Sequence, residues 1–254
     1  MRTALFIAGL TLAQLAGAAR VAAAPVALQT GTATFSQTCD AADRRPDTSV
    51  DGLINVEGWA IASSCSTPLE TTENQVAVWE TVADVDATDL KFTIVQDLGT
   101  QHILGRFRLS YTTDDRSEFA DDVDSGGDVT ANWQVLQAPQ PSGGGVQFNT
   151  FGDGTILVGG TIPNTAIYSV DYSGNFFGIT GIRLEVMEDP TLPFDGPGLH
   201  SGNGNFVVTE LSLDASGTPA AAPVPISIWS VAALAMALAS CAIRSLHRKS
   251  NLGA

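Results

Sequence analysis

Hydrophobic and polar residues alternate along much of the chain between residues 31 and 214. The alternation is plain in Leu90–Ile94, Phe107–Tyr111 and Ile182–Val186, where every second residue is apolar. A period of two is typical of a strand with one buried and one solvated face. Further strands are predicted at Thr32–Ser36, Gln75–Thr81, Trp133–Leu136, Thr155–Val158, Ala166–Val170 and Phe206–Leu213.

The predicted strands are short and are separated by Gly, Pro, Asn and Asp, and no convincing helical stripe interrupts them. Eight or more such strands in roughly 185 residues are typical of two packed sheets, since that arrangement leaves few exposed edges. The pattern predicts an all-β fold, a β-sandwich or jelly roll, over residues 31–214.

The two ends of the chain have a different composition from this body. Met1-Arg2-Thr3 precedes an apolar run from Ala4 to Ala19, and small residues continue to Ala24. This is the pattern of a secretory signal peptide. We assign residues 1–24 to it, with cleavage after Ala19 or near Ala23.

The C-terminal end begins with a Pro/Ala-rich linker at residues 215–225 and continues with an uncharged stretch, Ile226–Ile243. That stretch is just long enough to span a bilayer as a helix. Basic residues follow it at Arg244, Arg248 and Lys249, and such residues remain cytoplasmic. We expect residues 226–254 to be a transmembrane tail that leaves the body facing outward.

This tail resembles the PEP-CTERM sorting tails of exported proteins. The resemblance rests on Pro223-Val224-Pro225, on Trp229 in an Ala/Leu-rich span, and on the basic cluster that follows. It implies recognition by an exosortase-like processing enzyme. The chain departs from the pattern because Ile226 follows Pro225 where these tails have Glu-Pro, and because Ser245, Leu246 and His247 dilute the basic cluster.

Charge is distributed unevenly along the chain. All 27 acidic residues lie between Asp40 and Asp214, with only seven of the 12 basic residues. So acidic a body repels phosphate backbones and anionic membranes, which argues against nucleic-acid binding.

Two of the three cysteines, Cys39 and Cys65, lie in the exported body, and Cys241 lies in the apolar tail. Export to an oxidising compartment predicts a Cys39–Cys65 disulfide. Closing a loop of about 26 residues stabilises a fold by about 3 kcal/mol.

The sequence contains none of the short motifs that mark common enzymes. It has no Gly-x-Ser-x-Gly elbow, no His-Glu-x-x-His pair and no glycine-rich phosphate loop. We therefore interpret the protein as a binding or structural protein and not as an enzyme.

Several separated stretches of the body resemble the galactose-binding-like superfamily, in particular its discoidin-type (coagulation factor C-domain-like) modules. They are Ala33–Gln37, Ser49–Leu53, Gly58–Ile61, Ala77–Thr81, Leu104–Ser110, Gly181–Val186 and Gly202–Glu210. The resemblance covers essentially the whole body. It implies a galactose-binding-domain-like jelly roll whose loops at one end bind a ligand, commonly a glycan.

A sugar site needs a flat ring for stacking and planar donors and acceptors for the hydroxyl groups. The candidates are Trp133, Tyr111, Arg108, Arg116 and His102. Each has an alternative structural role in the sheet, and His200 is interpreted as a solvated loop residue.

Phe176 and Phe177 lie between Gly174 and Gly178. They are predicted either to form an exposed apolar spike or to plug one end of the sandwich.

The same resemblance implies a structural calcium ion held by Asp51, which precedes Gly52, and by Glu210 on the final strand. Carbonyl oxygens from Thr48 to Leu53 would complete the ligands of such a hard cation. The alternative is that Asp51 caps a turn and Glu210 is solvated.

Two functions remain open from the sequence. The first is a cell-surface or matrix-associated module that binds extracellular polysaccharide. The second is a structural surface protein that packs against neighbouring proteins without sugar affinity.

Overall fold

The computed structural model describes residues 22–62, 74–120 and 128–219. Most of the predicted signal peptide (residues 1–21), Cys65, residues 220–225 of the predicted linker and the whole of the predicted transmembrane tail lie outside the described residues. Within the described part of the chain, no helix is long and apolar enough to cross a membrane.

The described chain forms ten strands and three short 3-10 turns, which confirms the predicted all-β class. The strands are β1 (Ala24–Val26), β2 (Leu28–Ala33), β3 (Gln75–Gln96), β4 (Arg106–Thr112), β5 (Gln134–Val135), β6 (Gln140–Gly143), β7 (Gln147–Thr150), β8 (Ile156–Gly159), β9 (Ala166–Val186) and β10 (Glu210–Ser216). The turns are Pro46–Ser49, Arg116–Glu118 and Pro193–Asp195.

Two long antiparallel strands, β3 and β9, run through both layers of a β-sandwich. The first part of β3, up to Glu80, pairs with the last part of β9, and the second part, from Asp89, pairs with the first part of β9. The register shifts between Glu80 and Asp89, where the strands pass from one layer to the other. The sequence predicted two short strands in each of these segments because the irregular stretch between them lacks alternation.

The first layer contains β2, the first part of β3, the last part of β9, then β4, β8 and β7, with β5 also paired to β4. The second layer contains β1, β10, the second part of β3, the first part of β9, and β6. Pairing thus begins at Ala24, before the domain boundary at residue 31 that we expected from the sequence.

The core lies between the two layers. Phe107 on β4 stacks on Tyr168 of the other layer with ring centroids 6.1 Å apart, and Tyr111 meets Phe176 edge-on at 5.6 Å. The Tyr168 hydroxyl donates to the Leu104 carbonyl oxygen at 3.1 Å. Alternating residues of β3 that were predicted to be buried, among them Leu90, Phe92 and Ile94, are buried.

Part of the outer face of the first layer is covered, so the prediction that this whole face is solvated is wrong for that part. Phe119 and Ala120 are buried there against Val78, and Trp133 packs beside them. Glu185, an outward-facing residue of β9, is buried too. The reason is that apolar residues before position 121 and after position 127 pack on this face of the sheet. The alternation within a strand gives no sign that another segment will cover one of its faces.

Three other boundaries differ from the predictions. Strand β2 ends at Ala33, so only its last two residues fall in the predicted Thr32–Ser36 strand. Strand β10 begins at Glu210, whereas the prediction began at Phe206. The predicted loop Gly174–Gly178 lies inside β9.

Candidate functional site

The candidate sugar-binding residues do not come together at one place. Arg108 donates from Nε to Glu185 Oε2 at 2.6 Å. Arg116 donates to the Thr81 carbonyl oxygen at 2.6 Å and pairs with Asp84 at 3.0 Å. Both guanidinium groups therefore have partners within the fold.

Trp133 also has its ring engaged within the protein. Its ring meets Phe119 edge-on at 5.5 Å, and the Arg183 guanidinium carbon lies 5.8 Å from its centroid. The indole nitrogen donates to the Val129 carbonyl oxygen at 2.8 Å. This tryptophan belongs to the cover of the first layer and is not a free platform for a sugar ring.

The two phenylalanines of β9 have different environments. Phe176 is 7% exposed and lies against Tyr111, whereas Phe177 is 42% exposed. One ring of the pair is therefore buried and the other is exposed.

His102 lines a surface pocket of about 380 Å³ at one end of the sandwich, where three loops meet. The other residues that line it are Gln37, Asp40, Arg44, Ala62, Leu98, His200, Asn203, Asn205 and Val207. We call this the histidine pocket. Hydrogen bonds join its loops, from Val207 N to the His102 carbonyl oxygen at 3.1 Å and from Asn205 Nδ2 to Gln37 Oε1 at 2.9 Å.

The rings of His102 and His200 stack in this pocket, with centroids 3.9 Å apart and planes inclined by 13°. His102 Nδ1 lies 3.0 Å from the Gly99 carbonyl oxygen, and His200 Nδ1 lies 2.7 Å from that of Thr100. A carbonyl oxygen only accepts, so we assign the proton of each neutral ring to Nδ1. Each Nε2 is then an acceptor.

Burial lowers the pKa of His102, and the charges of His200 and Arg44 lower it further, which outweighs the hydrogen bond to Gly99. His102 is therefore neutral at pH 7. An imidazole in this state offers a lone pair to a ligand.

Arg44, which is buried, and Asp40, which is exposed, form an ion pair at the edge of the pocket. Arg44 is only 4% exposed, and its Nε and Nη2 donate to Asp40 Oδ2 at 3.0 and 2.6 Å. A third donor, Nη1, bonds to the Val56 carbonyl oxygen. Burial alone would raise the pKa of Asp40, but the hydrogen bonds and charge of Arg44 lower it, so this carboxylate stays charged.

A strained turn carries the carbonyl groups that orient the two histidines. Gly99, Thr100 and Gln101 have φ angles of 90°, 51° and 64°. Such angles cost a non-glycine residue about 1–3 kcal/mol and persist only where the surroundings enforce them. Here Gln101 is anchored by hydrogen bonds of 3.0 Å from its backbone N–H to Asn164 and from its side chain to Ile162.

Of the residues in the histidine pocket, the sequence singled out only His102 as a ligand contact. His200 was interpreted as a solvated residue; in the structure it is half-buried and stacks on His102. Asp40 and Arg44 were not singled out, although their spacing permits pairing. The amides of Gly202–Asn205 entered only as part of a family resemblance, because nothing in the sequence shows that these loops meet.

The two predicted calcium ligands lie close enough for their charges to interact. Asp51 Oδ1 also accepts a hydrogen bond of 2.8 Å from the Leu53 N–H, which is the turn cap of the alternative interpretation. Burial, and next the charge of Asp51, raise the pKa of Glu210 to about 7, with the Gly52 N–H acting in the opposite direction. The approach of their loops depends on Gly58, whose φ is 127° and at which a Cβ would collide with the Val208 carbonyl oxygen. Trp59 then bridges to Val208, just before β10 begins.

These two carboxyl groups have the chemistry of a partial cation site. Glu210 Oε2 is buried and has no hydrogen-bond partner among the described residues. A buried carboxylate oxygen without a donor is costly unless a cation neutralises it. No group of three or more His, Cys, Asp or Glu side chains suited to a metal occurs in residues 22–62, 74–120 and 128–219. Calcium would therefore need main-chain carbonyl ligands as well.

Cys39 is disulfide-bonded in the structure. Its expected partner, Cys65, lies outside the described residues. The Cys39–Cys65 pairing stays a prediction.

No family model and no curated protein matches the chain. Among solved structures, it is similar to the module CpGH89CBM32-5 of Clostridium perfringens, in complex with GalNAc-β-1,3-galactose, with 12% identity, a TM-score of 0.45, and coverage of 75% of this chain and 99% of that one. It is similar to the family 32 CBM of C. perfringens NanJ, in complex with galactose, with 10% identity, a TM-score of 0.43, and coverage of 76% and 99%. A Bacteroides fragilis F5/8 type C domain gives 12% identity, a TM-score of 0.38, and coverage of 74% and 97%.

Proposed function

We propose that the protein is an exported, non-catalytic binding module for extracellular carbohydrate, and that the carbohydrate binds in the histidine pocket. One observation carries the proposal. Three loops at one end of the sandwich bring two stacked imidazole rings, an ion pair and three amide side chains to the wall of one pocket. A concave site with a few convergent polar groups is the usual form of a small-ligand site.

The polarity of the pocket favours a hydroxyl-rich ligand. The side chains of Asn203 and Asn205 and the histidine rings are planar hydrogen-bonding groups, and the Asp40–Arg44 pair adds no net charge. Sugar hydroxyl groups both donate and accept, so they match such a surface. The sequence resemblance to discoidin-type modules supports the same ligand class.

The composition of the pocket also supports binding without catalysis. Glycoside hydrolysis uses two carboxyl groups that flank the scissile bond. Asp40 is the only carboxylate among the residues that line the described pocket, and Arg44 occupies its Oδ2. No Ser, Thr or Cys is among those lining residues to act as a nucleophile.

A glycan array probed with the purified full-length protein tests this proposal. We expect binding to a subset of neutral glycans and loss of that binding after Asn203→Ala. Gly152→Ala is a suitable control because a Cβ there meets no atom within 4 Å. Absence of binding to every glycan, including the matrix polysaccharide of the producing cell, would refute the proposal.

We propose further that residues 1–24 direct export and that residues 226–254 anchor the protein with its body outside. The apolar runs at the two ends and the basic residues after Ile243 support this topology. Deleting residues 226–254 should release the body from the membrane fraction. Processing by an exosortase-like enzyme predicts a mature C-terminus near Pro225, which mass spectrometry of the isolated protein can locate.

We also propose a structural calcium ion at Asp51 and Glu210, with carbonyl oxygens of residues 48–53 as further ligands. The orphaned Oε2 atom of Glu210 and the neighbouring carboxylate of Asp51 support it. When bound, the ion would neutralise both carboxylates and fix their loop against β10.

A second candidate function, a structural protein that packs against its neighbours, is favoured by an exposed apolar patch. Leu53, Ile54 and Val56 on one loop are 57%, 58% and 61% exposed. Ile54 and the exposed Ile167 line one cavity of about 330 Å³. Self-association in ultracentrifugation that Ile54→Ser abolishes, without any glycan binding, would favour this function over the first.

A further inference from the structure

We propose that His102 and His200 act as a paired acceptor, in which their two Nε2 atoms receive hydrogen bonds from two neighbouring hydroxyl groups of an uncharged sugar. This inference rests on the proposed carbohydrate-binding function. It specifies the ligand chemistry of the histidine pocket and makes binding depend on the protonation of the pair.

The hydrogen bonds of the two rings determine which nitrogen faces a ligand. Each Nδ1 is held by a carbonyl oxygen, that of Gly99 for His102 and that of Thr100 for His200. These carbonyls belong to consecutive residues of one strained turn. Both Nδ1–H groups are therefore committed to the same segment, and the Nε2 atoms lie on the far side of each ring.

The stacking geometry sets the spacing and direction of the two acceptors. With planes inclined by 13° and centroids 3.9 Å apart, in-plane lone pairs on the two rings cannot converge on one point. A zinc ion needs both nitrogens directed at it from about 2.0–2.1 Å, so this pair does not suit chelation of one metal. Two parallel acceptors do suit two donors on adjacent carbon atoms.

The groups around the pair disfavour a negatively charged sugar. In the described pocket wall, Asp40 and Arg44 are the charged residues, and they are paired with each other. A sugar carboxylate would place its negative charge beside the two Nε2 lone pairs and the Asp40 carboxylate, and the paired Arg44 does not compensate for it.

Protonation reverses the role of either ring. An imidazolium has donors at both nitrogens and offers no lone pair to a hydroxyl group. A positive charge on His102 is also unfavourable, because burial and the neighbouring charges lower its pKa. Affinity should therefore fall as the pH drops below the ordinary histidine pKa of about 6.5 and His102 becomes protonated.

Nitrogen NMR of the imidazole rings tests the protonation pattern directly. The chain has three histidines, so a His247→Gln variant of the full-length protein leaves only the signals of the pair. At pH 7.5 we expect both Nε2 atoms to show the shift of an unprotonated nitrogen and to move when galactose or mannose is added. Protonated Nε2 atoms in the free protein would overturn the proposal.

A substitution beside the pair tests the same acceptors without changing them. A Cβ at Gly202 would lie 2.8 Å from His200 Nε2, and the backbone there has no positive φ that would itself oppose alanine. Gly202→Ala should weaken binding of the best glycan at least tenfold. His102→Phe, which keeps a flat ring but lacks the acceptor, should do the same, and Gly152→Ala should bind as the wild type does.

The outcomes separate this inference from the function on which it rests. A glycan that binds the wild type, Gly202→Ala and His102→Phe equally well, with the same affinity at pH 5 and pH 7.5, would leave the function standing and overturn the paired acceptor. Binding of galacturonate as tightly as galactose would also overturn it. Failure of the wild type to bind any glycan would overturn both.

Discussion

Glu210, at the start of β10, lies close enough to Asp51 for their like charges to interact, and the buried Oε2 atom of Glu210 has no donor among the described residues. Residues 51–59 reach this position because Trp59 pairs with Val208 and because glycine occupies position 58. The backbone contact between Trp59 and Val208 thus brings the carboxyl groups of Asp51 and Glu210 close enough to repel each other.

Calcium should raise the melting temperature of the wild-type protein by several degrees, because an ion that binds only the folded state stabilises it by mass action. Asp51→Asn and Glu210→Gln should remove most of this increase. Asp171→Asn, a change at an exposed carboxylate on β9, is the matched control and should leave it unchanged. Identical thermal melts of the wild type in calcium and in chelator would exclude the site.

Without calcium, the free energy of unfolding should decrease as the pH rises. The pKa of Glu210 is raised in the folded protein to about 7 from 4.5, so its contribution is fully present below pH 4.5 and is lost as the pH rises through about 7. Glu210→Gln should flatten this part of the profile. Denaturant titrations in chelator between pH 4 and pH 8 measure it, and a variant with the same slope as the wild type would contradict the assignment to Glu210.

Gly181→Ala should destabilise the fold by about 1–3 kcal/mol, as overpacking generally does. A Cβ at this position of β9 would lie 2.5 Å from two ring atoms of the buried Phe119. The matched control is Gly159→Ala on β8, where a Cβ meets nothing within 4 Å. Equal unfolding midpoints for the two variants in a denaturant titration would show that Phe119 does not pack against Gly181 of β9 in solution.

The sequence predicted the elements that depend on local pattern. Alternation at Leu90–Ile94 and Phe107–Leu109 identified buried strand faces, because the period of side chains in a strand is independent of its partners. The same alternation assigned the face of Glu185 to solvent, and this was wrong because Phe119 and Trp133 cover that face. Whether a remote segment covers a sheet is decided by tertiary packing.

The candidate site residues also separate into those that the sequence could pair and those that only tertiary packing brings together. Asp51 and Glu210 were paired through a family resemblance, and the structure places them together. Arg108, Arg116 and Trp133 were chosen by residue type alone, and each has its partners inside the protein. The Asp40–Arg44 pair and His200 join His102 only because three loops meet, a relationship that residue spacing does not encode.

Replacing either Cys39 or Cys65 by serine should lower the free energy of unfolding by about 3 kcal/mol, the value for closing a loop of about 26 residues. The double variant should be no less stable than either single one, since both remove the same bond. Cys241→Ser is the control because that thiol lies outside the body. Peptide mapping under non-reducing conditions that finds Cys39 and Cys65 both free would contradict the pairing.

The central claim is that the histidine pocket binds carbohydrate, and calorimetric titration of the full-length protein with its best array glycan tests it most directly. The wild type and Gly152→Ala should bind with equal affinity, and Asn203→Ala and His102→Phe should each bind at least tenfold more weakly while still melting in one cooperative transition. Undiminished affinity in both pocket variants, or no heat of binding for the wild type with any glycan, would contradict the claim.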